Sequence, residues 1–146
     1  MIELDASEMM LASWMGSRRL IKARFKNYKD SVGQSNGWEN EIEGSAAEVA
    51  VAKHFGLFLP VKMDAFGEPD VGEWHVRSSK HENAHLRIGQ KETTGKYLLC
   101  IGEFNKWRIA GWIDAQEGRQ EKYFRQMRAD RPAKSYWIPQ DDLHKV

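Results

Sequence analysis

Tyr97-Leu98-Leu99-Cys100-Ile101 is an unbroken run of apolar residues. A strand with one wet face alternates apolar and polar positions. A run with no polar member is the pattern of a strand covered on both faces. Layers on both sides of a sheet define an α/β or α+β architecture. Outward from this run the period stays near two. Trp107, Ile109, Gly111 and Ile113 alternate as the following strand, and Glu92 to Gly95 reads as the preceding turn. Ala84, Leu86 and Ile88 alternate with His85, Arg87 and Gly89, and Val71 to Val76 forms a strand carrying Trp74. Leu57-Phe58-Leu59-Pro60-Val61 is a further short strand, followed by a turn from Ala65 to Pro69.

The flanks of this strand-rich segment are helical. Residues 4–29 form an expected helix, with Leu4, Met9, Met10, Trp14, Leu20, Ile21 and Phe25 mostly on one side. Ser31 to Gly37 is small and polar, hence a loop. Residues 38–55 form a second helix, ended by Gly56 as a C-cap. Its Gly44-Ser45-Ala46-Ala47 patch lowers helix propensity but lets another element approach closely. Asp114 with Glu117 three residues on makes a capping-box-like start to a polar helix running to about Arg128. Asp130-Arg131-Pro132 breaks it. Tyr136 to Pro139 is a last strand and Asp141 to Leu143 a terminal turn.

The chain has 146 residues, 41% of them hydrophobic and 29% charged. That is one domain by size, and at this length folding buries roughly 70% of the surface of the unfolded chain. The composition excludes a disordered chain, a collagen-like chain and a coiled coil. Lys plus Arg number 22 against 21 Asp plus Glu, so a histone-like basic protein is excluded, whereas a local basic face is not. Cys100 is the single cysteine, which rules out an intrachain disulfide framework and Cx2C zinc sites. Within an apolar strand it is a buried small hydrophobe rather than a nucleophile. No apolar stretch is long enough to span a bilayer, and the acidic start Met1-Ile2-Glu3-Leu4-Asp5 lacks signal-peptide features. A cytoplasmic location is the expectation. Of the six tryptophans, Trp14 and Trp38 are expected in the core, and Trp74, Trp107 and Trp112 on packed strands.

One constellation has the makings of phosphodiester chemistry. Glu48 sits mid-helix among small residues, Asp70 follows Pro69 at the opening of a strand, and His75 and Arg77 share one face of that strand. Phosphodiester hydrolysis at neutral pH is served by a divalent cation that polarises the phosphoryl oxygen and activates water. Hard Mg²⁺ takes carboxylate oxygens, and an adjacent cation stabilises the developing charge.

Helix carboxylate, Pro-Asp, then a strand ending in a basic residue resembles the PD-(D/E)XK nuclease superfamily over roughly residues 38–113. Within it, the likeness is to small phage and environmental proteins. It rests on Gly44 to Gly56, Asp70-Val71-Gly72, Val76-Arg77, Gly111-Trp112-Ile113 and Trp137-Ile138-Pro139-Gln140. The resemblance implies a restriction-endonuclease-like α/β fold, a central mixed sheet of about five strands flanked by helices. It implies a single domain over residues 1–146: an N-terminal helix and loop to residue 37, a nuclease-like core over 38–113, and a C-terminal helix and strand. It implies a metal-dependent nuclease acting on DNA with Mg²⁺ or Mn²⁺, often as a homodimer, and a phage or mobile-element source.

Residue by residue, the resemblance makes Glu48 the helix carboxylate and Asp70 the central metal ligand. It puts His75 at the (D/E) position and Arg77 at the Lys position. His75 is not a carboxylate, though imidazole binds divalent transition metals. Arg77 stays protonated and clamps phosphate rather than acting as a base. Glu73 is the candidate replacement carboxylate, and Lys80 or Lys91 a migrated amine. These departures favour an alternative: a non-catalytic module of the same fold that binds nucleic acid or protein. A bland reading also stands, with Glu48 paired to Lys53, Asp70 a turn residue and Arg77 an edge charge.

Two further patterns stand apart. His81-Glu82-Asn83-Ala84-His85 matches the HExxH signature of zinc peptidases, in which two His one helical turn apart bind Zn²⁺ and the Glu activates water. Its neighbours alternate as strands, so the window reads as a hairpin turn and a chance match. Arg18, Arg19, Lys22, Lys26 and Lys29 form a basic run on the first helix. It is either a solvated face or a footprint for a phosphate backbone.

Overall fold

The computed structural model describes residues 1–26, 37–59, 68–130 and 132–146. Its central strand is β4 (Lys96–Glu103), which carries the apolar run. It hydrogen-bonds on one edge to β2 (Trp74–Ser79) in parallel and on the other to β5 (Lys106–Asp114) in antiparallel fashion. β5 pairs in turn with the N-terminal β1 (Ile2–Glu3), giving a four-stranded mixed sheet of order β1-β5-β4-β2. Alternation divides β4 between two cores. Leu98 and Cys100 join the core beneath the helices, and Tyr97, Leu99 and Ile101 join the core on the opposite face.

The first face is covered by α1 (Ala6–Phe25) and α2 (Gly37–Phe55). α1 begins where Asp5 accepts from the Glu8 N–H and Glu8 accepts from the Asp5 N–H, a capping box. Leu4 is therefore not the first helical residue. It is a buried core residue whose N–H reaches the Asn105 carbonyl beyond β1.

The second face is not covered by helices as expected. It is covered by a small antiparallel sheet, β3 (Leu86–Ile88), β7 (Ser135–Ile138) and β6 (Phe124–Arg125), in the order β3-β7-β6. Leu86, Ile88 and Ile138 fill the second core from that side. The fold is thus mixed α/β, with seven strands in two sheets among the described residues and the two long helices on one side of the larger sheet.

The expected helix from Asp114 to Arg128 is only α3 (Ala115–Gly118). Its cap is as read, since Asp114 accepts from the Gln116 N–H at 2.9 Å. Gly118 is then pressed against the second core, where a Cβ would lie 2.7 Å from Ile88 Cδ1. Beyond it the segment lacks an apolar stripe to hold a helix to the sheet. Tyr123 is instead buried, its hydroxyl donating to Asp142 at 2.7 Å, and β6 pairs with β7. Leu57 to Leu59 form no strand, and Pro60, Val61 and Ala65 to Gly67 lie outside the described residues, as do Lys29 and Ser31 to Asn36.

The helix pair also differs from expectation. α1 buries Ala12, Met15, Gly16 and Leu20, whereas Met10, Trp14, Ile21 and Phe25 of the apolar stripe are exposed on the opposite side. The reason is a close helix crossing. A Cβ on Gly16 would lie 2.7 Å from the Glu41 carbonyl carbon and the Ile42 nitrogen, so backbone meets backbone there. Gly44 has no atom within 4 Å of its Cβ position, whereas Ser45, Ala46 and Ala47 of the same patch are fully buried, as expected of a closely approached face.

Gly16→Ala is expected to destabilise the fold by about 1–3 kcal/mol, because the overpacked backbone contact must open. Gly44→Ala is expected to be neutral, or stabilising by up to about 1 kcal/mol. Urea denaturation of the two variants beside the parent chain checks the contrast.

Candidate functional site

α2 carries Glu48 into the helix-side core, where it is one of few buried charged side chains. A buried carboxylate persists only with a partner, and α1 supplies it. Arg19 donates through Nη1 to Glu48 Oε1 at 2.8 Å and through Nη2 to Glu48 Oε2 at 2.8 Å, a bidentate pair. Nη1 also lies 3.4 Å from the Ser45 hydroxyl. The side chains retain only 20% and 10% of their exposure. Burial pushes the Glu48 carboxyl upward, with Asp70 and Glu41 adding and Arg19 opposing. Lys53, the partner expected from sequence spacing, bonds instead to Glu8 and to the Glu3 carbonyl.

Asp70 stands in a tight turn before β2. Its N–H reaches the Trp74 carbonyl, Gly72 takes φ +56° and Val71 bridges to Trp74. Asp70 Oδ2 accepts from the Val76 N–H at 2.7 Å, which ties the turn to the strand it opens. The same carboxylate acts electrostatically on Glu48, Arg19 and His75. The bland reading of Asp70 as a turn residue therefore describes its bonding.

His75 and Arg77 share a strand face as expected, but it is the face away from the helices. Trp74 and Val76 pack toward the helix-side core. The His75 ring stacks on Tyr97 with centroids 4.6 Å apart and leans over Gly95, whose Cβ position is 2.6 Å from Nε2. Arg77 lies 5.0 Å from the Tyr97 centroid and is ion-paired to Glu92, whose other oxygen accepts from the Gly89 N–H at 2.7 Å. Glu92 was not singled out in the sequence. Its signal is an Asx-like offset of three residues after Gly89, visible only once the turn is known. Glu73 is mostly exposed and paired to Lys96 at 2.9 Å.

The four residues Glu48, Asp70, Glu73 and His75 were expected to be metal ligands. The sheet separates them, with Glu48 on the helix side, His75 on the other side and Asp70 at the edge between. Among the described residues no three His, Cys, Asp or Glu side chains form a metal-binding group. With both Glu48 oxygens engaged by a guanidinium, the donors as arranged do not fit a Mg²⁺ or Mn²⁺ centre.

His81 to Asn83 form a turn rather than a helix, so the HExxH imidazoles are not one helical turn apart. Arg108 pairs with Glu82, and Gln140 donates to the carbonyls of Glu82 and Ala84 at 2.7 and 3.0 Å, pinning that turn to the C-terminal segment. In the basic run, Arg19 is turned inward, while Arg18 is exposed and lies 4.6 Å over the Trp14 ring. Trp107 is buried as expected, but Trp14 and Trp38 are about half exposed rather than core. No family model, curated protein or solved structure matches this chain.

Two outcomes follow from the burial. Arg19→Met strands Glu48 without a partner and is expected to cost about 3 kcal/mol, and Arg19→Met with Glu48→Leu should recover most of that loss. Denaturation midpoints of the single and double variants check it. Burial also holds the His75 imidazole below its ordinary range, with Arg77 adding and Asp70 and Glu92 opposing. The folded chain thus prefers neutral His75, while the unfolded chain takes the proton near pH ~6.5. The stability this confers is full above that pH and is lost as pH falls through the lower folded value. Between about pH 7.5 and 5, His75→Gln should lose less stability than the parent chain in the same urea titrations.

Proposed function

We propose that this chain is a nucleic-acid-binding module on a restriction-endonuclease-like α/β core, with salt bridges standing where the resemblance implies a hydrolytic centre. The observation that carries the reading is the bidentate Arg19–Glu48 pair. At the helix carboxylate, where the resemblance requires a cation, a fixed guanidinium supplies the positive charge. Arg77 is likewise neutralised, by Glu92. The affinity for nucleic acid then comes from α1. From Met9 to Lys26, besides the inward-turned Arg19, the chain carries Arg18, Lys22, Arg24 and Lys26 and no acidic residue. A phosphate backbone is attracted by such a segment whatever its sequence.

A second reading, metal-dependent DNA hydrolysis, is favoured by one observation: burial, with the Asp70 carboxylate adding, pushes the Glu48 carboxyl upward. Asp70 and Glu48 are the residues that the resemblance assigns to that chemistry.

One experiment separates the two. Supercoiled plasmid and single-stranded DNA are incubated with the protein in Mg²⁺, Mn²⁺ or EDTA, with Asp70→Ala alongside, and binding is read in parallel. Salt-sensitive binding that persists in EDTA, without cleavage in either metal, is the expected result. Metal-dependent cleavage abolished in Asp70→Ala would establish the nuclease instead.

A further inference from the structure

Four of the large apolar residues that sequence periodicity puts on one side of α1 are on the surface. Met10 is 70% exposed, Trp14 48%, Ile21 46% and Phe25 87%. The residues recur at intervals of four, seven and four, so they share one face of a 3.6-residue helix. The side buried against α2 is the opposite one, through Ala12, Met15, Gly16 and Leu20. Trp38 does not belong to that stripe, because it is carried by the helix packed against the opposite side of α1. It is 50% exposed at the start of α2, where Gly37 sits against Leu20 and the Arg24 guanidinium.

The stripe is not purely apolar. Arg18 lies on it, one turn beyond Trp14, with its guanidinium 4.6 Å over the Trp14 ring. Lys22 follows four residues later, and no Asp or Glu lies between Met9 and Lys26. Charge complementarity therefore asks for a polyanion. A second copy of this chain docked on the same face would set these cations against each other. A duplex presents phosphates to such a surface but keeps its bases stacked inside, leaving Trp14 and Phe25 wet. An unpaired strand offers both components, phosphates to the cations and base faces to the rings. Alternating cations and aromatic rings is the composition of single-strand platforms. The placement of a guanidinium within the stripe, rather than only along its flanks, opposes insertion into a lipid layer. Trp14 and Phe25 are about 16 Å apart along the helix axis, long enough for a tract of several nucleotides.

We propose that the exposed face of α1, with Trp14, Arg18 and Phe25 as its centre, is a docking surface for single-stranded nucleic acid with unpaired bases. This names the class of ligand within the nucleic-acid-binding reading and rests on it.

The test uses the full chain in EDTA, so that binding is read apart from any cleavage. Fluorescence anisotropy compares labelled oligothymidylate with a labelled duplex of equal length. The same titrations are run on Trp14→Ala/Phe25→Ala and on Arg18→Ala. The mutated side chains are exposed, and circular dichroism with a urea midpoint verifies that the fold is kept.

The single strand is expected to bind at least about tenfold tighter than the duplex. The double aromatic variant should lose about tenfold or more for the single strand and little for the duplex. Arg18→Ala should reduce the salt dependence of binding to both. Equal affinity for the two forms, unchanged in the aromatic variant, would overturn the single-strand assignment while leaving nucleic-acid binding intact. Absence of binding to either form would remove both readings. Binding to vesicles containing anionic lipid that is lost in the aromatic variant, with oligothymidylate binding unaffected, would assign the face to a membrane and overturn the proposal.

Discussion

β4 is hydrogen-bonded along both edges and covered on both faces, and nearly everything else is arranged to meet those demands. Its parallel neighbour β2 and antiparallel neighbour β5 satisfy its backbone. Its side chains then point alternately into two cores that share no residue. One core must be capped by α1 and α2, the other by the small β3-β7-β6 sheet with Tyr123 and Leu143. The path of the last thirty or so residues follows from the second requirement. At Gly111, with φ +154°, a Cβ would lie 2.6 Å from Leu143 Cβ, so the C-terminal segment can press directly onto β5.

The helix-side core sets the character of the candidate site. Its α2 surface is made of Ala46, Ala47 and Ala50, and Gly16 lets α1 descend until the two backbones meet. Helices this close leave little room for water around Glu48. A carboxylate so placed needs a fixed counter-charge, and Arg19 is the cation that α1 delivers to it. The cost is that Arg19 no longer belongs to the outer basic face, which is left to Arg18 and the cations that follow it. Close packing on one side of α1 thereby decides both the locked Arg19–Glu48 pair within and the aromatic, basic surface without.

Much of the fold was legible because the local signals were unopposed. The apolar run of β4, the extent of α2 and the turn at His81 to Asn83 stand as their residue patterns indicate. The alternation of β5, by contrast, is broken by a bulge at Ala110 that puts Trp107 and Ile109 in one core and Ile113 in the other. The reading of α1 failed in an instructive way. Counting large apolar residues selected Leu4, Met9 and Leu20, which do face the core, together with Trp14, Ile21 and Phe25, which do not. The rest of the buried side is Ala12, Met15 and Gly16. Small residues carry little hydrophobic signal but permit the closest contact, so size rather than hydropathy fixed the orientation. The false helix after Gly118 came from a correct cap followed by polar residues, with no apolar stripe to check it. Of the candidate site, the shared face of His75 and Arg77 followed from the strand period, whereas their separation from Glu48 did not. A strand's period says that two residues share a face, but not which layer that face meets.

By itself the sequence determined the mixed α/β class, the central buried strand, the second helix and the residues worth examining, because each depends on short-range period, capping or turn chemistry. Only the tertiary structure decided that Glu48 is locked to Arg19 rather than Lys53, that His75 lies across the sheet from Glu48, and that the aromatic face of α1 looks outward. Those outcomes depend on which surfaces of distant elements meet. Arg19 and Glu48 are 29 residues apart, and no local pattern encodes their encounter.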